Sequence, residues 1–261
     1  MENPKIFVNR KMENNPFYMA PVEIIIPFHG EQARVTKLMD SIFKTVHTNR
    51  YLITLVDDCS PNKTFIKEID RAKLPGVRCF RQDTHKGFGA AVNLALKSPW
   101  SEQITWVLIV HSDVYAEENN WLSSMGDTIN KMKAQGVKMV SPMTNKPMVE
   151  SAVLTGQKGD RRGDHILTEG FLPMYCVLAH RELFKRVGPL KECPYAGTEA
   201  EEYAVRMRLM GYKQAVCGTS WVHHDGGASL SAFSDNPKVQ GILRNVREEF
   251  DPGPKKEVQA E

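Results

Sequence analysis

Short apolar runs alternate along the chain with segments of helical periodicity. The runs are continuous and end at turn residues, as is typical of strands buried on both faces. They are Val22 to Pro27, Leu52 to Val56, Val77 to Phe80, Trp106 to Val110 and Lys138 to Pro142. Their alternation with helices predicts parallel β-α-β units, and so a doubly wound α/β sheet over about residues 20 to 142.

Apolar residues at three- and four-residue spacing predict the helices. From Glu31 to about Thr48 they share one face, which comprises Val35, Leu38, Met39, Ile42, Phe43 and Val46. Further helices are predicted at Thr64 to Ala72, Ala90 to Lys97, Arg181 to Val187 and Glu199 to Met210, and a further strand at Gln214 to Val222. The Gly-rich, charged stretch 155–165 is typical of a mobile surface loop.

Acidic residues follow two of the predicted strands. Asp57 and Asp58 end one strand, and Asp113 lies just beyond another. Ligands of open α/β sheets bind at the carboxyl ends of strands, so Asp113 is placed to hold a metal and, through it, a phosphate. Such an Asp can instead cap a turn or helix, and Asp57 and Asp58 can form an Asx-turn with Pro61. A carboxylate there can also accept the imide N–H of uracil or thymine.

Two further groups of residues have both a structural and a chemical interpretation. The pair His223 and His224 follows the last predicted strand and is either structural or a source of a metal ligand. Shared with Asp113, it would form a mixed nitrogen and oxygen site suited to Mn²⁺. The acids Glu199, Glu201 and Glu202 either stabilise a helix N-terminus or supply a general base for a hydroxyl group.

Composition excludes several classes of protein. The 261 residues carry 34 basic and 31 acidic side chains, and a net charge of +3 does not argue for nucleic acid. Five scattered cysteines indicate neither a zinc knuckle nor a disulfide framework, so a reducing, cytoplasmic compartment is expected. Residues 1–20 contain no apolar segment typical of a signal peptide, and no apolar run is long enough to span a membrane. A membrane-associated acceptor is therefore expected to be met at the surface. No G-x-G-x-x-G follows the first strand, which disfavours a nicotinamide or flavin site.

Seven segments, in chain order, resemble the family 2 glycosyltransferases, whose fold is called GT-A. They are Glu23 to Pro27, Leu55 to Asn62, Gly87 to Asn93, His111 to Val114 with Trp121 and Leu122, Cys176 to Gly188, Glu199 to Tyr212, and His224 to Ser229. The resemblance covers about residues 21 to 229. The chain departs from the family at His111, which replaces the first Asp of D-x-D, and at Ala200, which stands where the base Asp is expected.

This resemblance implies a GT-A domain over residues 21–235, an α/β, Rossmann-like, mostly parallel sheet flanked by helices. A leader (1–20) and a flexible tail (236–261) would flank it. The implied reaction is metal-dependent, inverting transfer of a hexosyl or deoxyhexosyl group in carbohydrate biosynthesis. The donor would be a UDP-, dTDP- or GDP-sugar, and the acceptor a hydroxyl of a glycan, a lipid-linked saccharide or a protein. Nucleic acid is not expected as a partner, and peripheral contact with a membrane stays open.

The resemblance also implies roles for individual residues. Glu201 or Glu199 would be the base, and Asp113, His224 and His111 would bind Mn²⁺ or Mg²⁺. The nucleotide sugar would contact Pro27, His29, Asp57, Asp58, Lys86, Gly87, Asn93 and Ser112. The loop 155–165, with its cations Lys158, Arg161 and Arg162, would close over the diphosphate.

Two other interpretations stay open. A sugar nucleotidyltransferase normally needs a Gly-rich, basic loop after the first strand, and Phe28-His29-Gly30-Glu31 lacks one. A non-catalytic sugar-nucleotide or glycan-binding protein is suggested by His111 and Ala200.

Overall fold

Nine strands and six helices build the part of the chain that the computed structural model describes, residues 21–46, 51–98, 104–194 and 199–226. The strands are β1 (Val22–Phe28), β2 (Tyr51–Asp57), β3 (Val77–Arg81), β4 (Trp106–Val110), β5 (Val114–Tyr115), β6 (Val137–Thr144), β7 (His165–Leu167), β8 (Cys176–His180) and β9 (Lys213–His224). The helices are α1 (Gln32–Thr45), α2 (Thr64–Ala72), α3 (Phe88–Leu96), α4 (Trp121–Met132), α5 (Arg181–Val187) and α6 (Glu199–Leu209), with a 3-10 turn at Lys133–Gln135.

The strands form one mixed sheet in the order β3-β2-β1-β4-β8-β6-β9-β5, with β7 also paired to β9. The first four strands in this order are parallel, as the alternation of strands and helices predicted. Strand β8 is antiparallel to both of its neighbours, β4 and β6. The expected parallel sheet over residues 20–142 is therefore interrupted by a strand from the second half of the chain. Periodicity cannot show this, because it carries no information on strand order or direction.

Helices cover both faces of the sheet, since alternate strand residues belong to two separate cores. Ile24 and Ile26 pack with the apolar stripe of α1, whereas Ile25 lies on the other face with residues of α3. Phe43, predicted on the buried stripe of α1, is instead 42% exposed. At 100° per residue it lies roughly 80° from the centre of that stripe, near its edge.

Two short features of the fold position the candidate site. Strand β5 pairs antiparallel with the end of β9, with Val114 opposite His224. Helix α3 begins at Phe88, two residues earlier than predicted, directly after Gly87, whose φ is 88°.

The leader 1–20 and the tail 236–261 lie outside the described residues. Among the helices that are described, none is both long and apolar enough to cross a membrane.

Candidate metal and donor-binding site

The predicted metal ligands form one cluster at the carboxyl end of β4. The chain turns at His111, Ser112 and Asp113 and enters β5, whose pairing with β9 brings His224 alongside. One ligand atom each from His111, Asp113 and His224 lies within 4.8 Å of the others. The Nε2 atom of His224 is 3.4 Å from Oδ1 of Asp113. Tertiary structure therefore joins two segments that are far apart in the sequence.

His224 is held in the orientation that a metal ligand requires. Its Nδ1 lies 2.6 Å from the backbone carbonyl of Lys146, so Nδ1–H donates and Nε2 carries the lone pair. Nε2 is buried and has no hydrogen-bond partner. The ring stacks on Tyr175 at 5.1 Å between centroids, and the Asn145 amide hydrogen-bonds both the N–H and the C=O of His224. Metal-binding histidines are oriented in this way, through the nitrogen that does not bind the ion.

The charge states of the cluster also suit a cation. His111 packs against the ring of Phe88, and desolvation lowers its pKa to about 4 despite the opposing charge of Asp113. Its imidazole is therefore neutral at pH 7. Burial by itself would raise the pKa of Asp113, but the neighbouring rings of His224 and His111 together lower it. The cluster thus offers two imidazole rings and a carboxylate, a set of donors that fits a divalent ion.

Asp57 and Asp58 are engaged within the protein. Asp57 is 0% exposed, accepts the Ser60 N–H at 2.7 Å and forms an ion pair with Arg81. Asp58 is 4% exposed and accepts the backbone N–H groups of Lys86 and Gly87 at 2.8 and 2.7 Å. Both carboxylates therefore hold the loops after β2 and β3 in place. Their contact with the base and ribose of a donor stays a prediction.

The other residues predicted to bind the donor lie in several places. Pro27 is buried near the end of β1. His29 is exposed, with Nδ1 2.7 Å from the carbonyl of Asp58, and Lys86 is exposed in the neighbouring turn. Asn93 is buried in α3, where its amide bonds the backbone N–H and C=O of Leu190 at 2.9 Å. It links α3 to the segment before α6, and its role toward the donor is untested.

Ser112 contacts Glu31, a residue that the sequence analysis did not identify. Its hydroxyl donates to Glu31 at 2.6 Å, and the other oxygen of Glu31 pairs with Arg34 at 2.9 Å. Glu31 also lines an open cavity of about 510 Å³ between the turns after β1 and β2, with Pro61 and Asn62 on the other side. No sequence pattern indicates this link, because Glu31 and Ser112 meet only through the pairing of β1 with β4.

The two candidate bases differ in environment. Glu199, at the start of α6, is 4% exposed, and its Cγ lies 3.5 Å from the position a Cβ on Gly89 would occupy. Glu201 is exposed. Glu202, also in α6, pairs with Arg206 one turn later on the same helix at 2.5 Å. Glu199 is therefore the acid that borders the turn at the start of α3, and Phe88 of this turn contacts His111.

The loop 155–165 is tied to neighbouring segments by its cations. Lys158 pairs with Glu117 at 2.6 Å, and Arg161 pairs with Glu118 at 3.1 Å. Arg162 pairs with Asp160 within the loop. Closure over a diphosphate would require these cations to exchange partners, and it stays a prediction.

Comparison with solved structures places this fold among the GT-A glycosyltransferases. GalNAc-T7 with UDP, GalNAc and Mn²⁺ has a TM-score of 0.60 at 14% identity, over 88% of this chain and 50% of that one. Residues 1–349 of TarS from S. aureus with UDP-GlcNAc give 0.58 at 16%, over 88% and 67%. The mannosyltransferase PcManGT from Pyrobaculum calidifontis with GDP-Man and Mn²⁺ gives 0.62 at 14%, over 94% and 68%. At such low identity the likeness shows the fold, and the chain spans only half the length of the GalNAc-T7 chain.

The sequence identifies the family. The model of glycosyl transferase family 2 matches residues 23–188, and the chain belongs to that family. The matched range includes the turn with His111 and Asp113 and ends before Glu199 and His224. A search of curated proteins finds no match.

Proposed function

We propose that this protein transfers a sugar from a nucleoside diphosphate sugar to a hydroxyl acceptor, with the help of a divalent metal ion. The observation that carries the proposal is the cluster of His111, Asp113 and His224 at the strand ends of a family 2 chain. An unpartnered, buried Nε2 on His224 beside an ionised carboxylate is costly unless a cation is bound there. Structures of similar fold contain UDP or GDP-mannose together with Mn²⁺.

The donor would lie along the carboxyl ends of β1, β2 and β4. Its diphosphate would face Asp113, His111 and His224, which would hold Mn²⁺ or Mg²⁺. When bound, the ion supplies positive charge to the leaving diphosphate as a Lewis acid. The nucleoside would occupy the cavity beside Glu31, near His29 and the loops held by Asp57 and Asp58. Lys86, Gly87 and Ser112 would border the same space, and Pro27 would support it from below.

The reaction would be a single displacement with inversion at the anomeric carbon. A carboxylate takes the proton of the acceptor hydroxyl as its oxygen forms the new bond to the anomeric carbon. The bond from that carbon to the diphosphate breaks, and the nucleoside diphosphate leaves with the electron pair. Of the two candidates we favour Glu199, because it is buried beside Gly89 near the cluster whereas Glu201 is exposed. A partly desolvated carboxylate is the stronger base.

The loop 155–165 would exclude water from the bound diphosphate. Release of Lys158 and Arg161 from Glu117 and Glu118 would let them meet the diphosphate charge. The exposed pair of Lys158 and Glu117 contributes only about 0–1 kcal/mol, so its exchange would cost little. Release of Arg161 would cost more, because the side chain of Glu118 is only 11% exposed and would lose its partner. We further propose a hexosyl or deoxyhexosyl donor and a cytoplasmic role in carbohydrate biosynthesis, with peripheral contact where the acceptor is membrane-bound.

The test is a thermal-shift panel of UDP, dTDP, GDP, CDP and ADP, each with and without Mn²⁺. One nucleotide should raise the melting temperature in a metal-dependent way. At a hundredfold excess over the dissociation constant the stabilisation is about 2.7 kcal/mol. Asp113→Asn is the matched control, because it keeps the shape of the side chain and removes its charge. It should retain the fold by circular dichroism and lose the metal-dependent shift.

The selected nucleotide then directs an assay of the corresponding sugar donors. Slow hydrolysis of one donor or transfer to a hydroxyl acceptor is expected from the wild type. A metal-dependent thermal shift without any turnover would instead support a binding protein, the function that Ala200 favours. Undiminished turnover by Asp113→Asn would exclude the role assigned to that carboxylate.

A further inference from the structure

The cluster is richer in nitrogen than an ordinary D-x-D turn. The position of the first Asp of that motif is occupied by His111, and the structure brings the ring of this residue into the site. One carboxylate and two imidazoles therefore converge, where an Asp at position 111 would give two carboxylates and one imidazole. This difference changes which ions the site prefers.

His111 is positioned by backbone hydrogen bonds and by ring packing. Its backbone N–H donates to the carbonyl of Tyr175 at 2.8 Å, and its carbonyl accepts the N–H of Val114 at 3.2 Å. The Phe88 ring packs edge-on at 4.9 Å between centroids, and the His224 ring lies 6.3 Å away at an angle of 78°. The imidazole is held against the cluster by packing on one side and by the turn on the other.

Ions differ sharply in their response to such a set of donors. Mg²⁺ and Ca²⁺ are hard ions that take oxygen ligands, and Mg²⁺ gives up its water reluctantly. Imidazole nitrogen suits the first-row transition metals, whose affinity for mixed nitrogen and oxygen sites rises from Mn²⁺ through Co²⁺ toward Cu²⁺. Two imidazoles and a single negative charge therefore penalise Mg²⁺ and favour the transition metals.

We infer that His111 is a metal ligand that makes this site selective for divalent transition-metal ions, Mn²⁺, Co²⁺ or Zn²⁺, over Mg²⁺ and Ca²⁺. The inference rests on the proposed metal site and goes beyond it, because a site of ordinary D-x-D type would accept Mg²⁺. It makes His111 the residue that sets the specificity for the metal.

The test measures Mn²⁺ binding by electron paramagnetic resonance, on the full chain stripped with EDTA, with and without UDP. In the wild type, excess Mg²⁺ should fail to displace Mn²⁺, whereas Co²⁺ and Zn²⁺ should displace it. His111→Asp should still bind Mn²⁺ and should let Mg²⁺ compete, with the Mg²⁺ to Mn²⁺ affinity ratio rising on the order of tenfold or more. His165→Asp, at an exposed position of β7, adds the same charge elsewhere and should leave the ratio unchanged.

Electron spin echo modulation gives a readout that does not depend on affinity. Mn²⁺ in the wild type should couple to the nitrogens of two imidazoles, and in His111→Asp to the nitrogen of one. If His111→Asp fails to fold by circular dichroism, the two-imidazole signature in the wild type decides the question alone.

Three results would overturn the inference. Equal binding of Mg²⁺ and Mn²⁺ by the wild type, or a single coupled imidazole, would overturn it while leaving the proposed transfer activity in place. Absence of Mn²⁺ binding with and without UDP would overturn it together with the metal dependence of the proposed function. Nucleotide binding in the thermal-shift panel tests the rest of that function separately.

Discussion

At the scale of single residues, the cluster depends on side chains that do not belong to it. Asn145 bonds the backbone of His224 through both ends of its amide, at 3.0 and 2.8 Å. The next residue, Lys146, accepts the Nδ1 proton of His224. The turn that ends β6 thus fixes both the backbone and the tautomer of one ligand. Side chains that orient a metal ligand in this way contribute to the affinity for the metal.

Asn145→Ala should therefore weaken Mn²⁺ binding about 10- to 100-fold, the range found when partners of metal ligands are lost. The two missing hydrogen bonds should also lower the free energy of unfolding by roughly 1–3 kcal/mol. Binding is measured by electron paramagnetic resonance and stability by urea denaturation. Asn130→Ala, at an exposed position of α4, is the control and should change neither quantity appreciably. An affinity for Mn²⁺ in Asn145→Ala equal to that of the wild type would show that the Asn145 side chain does not position His224.

At the scale of elements, two glycines let the start of α3 approach the segment before α6. A Cβ at Gly87 would lie 1.8 Å from the carbonyl oxygen of Cys193, and one at Gly89 would lie 2.1 Å from that of Lys191. His85 adds a contact from the same turn, with Nε2 2.9 Å from the carbonyl of Pro194. The close approach places Glu199 beside the turn, near the contact of Phe88 with His111.

Replacement of Gly87 and of Gly159 compares a crowded glycine with an open one. Gly87 and Gly159 have nearly the same φ, 88° and 87°, but nothing lies within 4 Å of a Cβ at Gly159. Gly159→Ala should cost about 1–2 kcal/mol, the penalty of the left-handed region. Gly87→Ala should cost about 1–3 kcal/mol more, because the ψ of Gly87, 174°, lies in a region that is essentially restricted to glycine and the chain must also move away from Cys193. Urea denaturation of both variants measures the difference, and equal losses would argue against close packing at Gly87.

At the scale of the whole molecule, the proposed metal site joins the two halves of the chain. Asp113 and His111 follow β4 in the parallel half, whereas His224 ends β9 in the mixed half. Between them in the sheet lie β8 and β6. A ligand shared by two such segments restrains their relative motion and protects both from local opening.

Mn²⁺ should consequently slow amide hydrogen exchange in two separate stretches, 111–115 and the end of β9. The edge formed by β3 and α2 contributes no ligand and should exchange at an unchanged rate. Mass spectrometry with Mn²⁺ or with EDTA measures both regions, and Asp113→Asn should abolish the difference. Uniform protection across the sheet, or protection of one stretch only, would contradict a site shared between the halves.

Sequence alone determined the local elements and the family. The apolar runs and the helical spacing predicted β1 to β4 and five of the six described helices to within a few residues, because burial on two faces or on one face imposes a distinct periodicity. Helix α4 was missed, although its buried residues Leu122, Met125, Ile129 and Met132 recur at three- and four-residue spacing. Resemblance in motif order identified family 2, which the family model confirms. The turn residues Asp57, Asp113 and His224 stood out because they end strands, where ligands of such sheets bind.

Only the tertiary structure decided which of these residues meet. The insertion of β8 and the pairing of β5 with β9 follow from long-range hydrogen bonding, which no local pattern encodes. The pairing of β5 with β9 brought His224 next to Asp113. Other predicted site residues bond to the protein itself: Asp57 and Asp58 to neighbouring loops, and Asn93 to Leu190. Glu31 and Asn145 were missed for the same reason. A side chain's chemistry can be read from the sequence, but its partners depend on contacts between segments far apart in the chain.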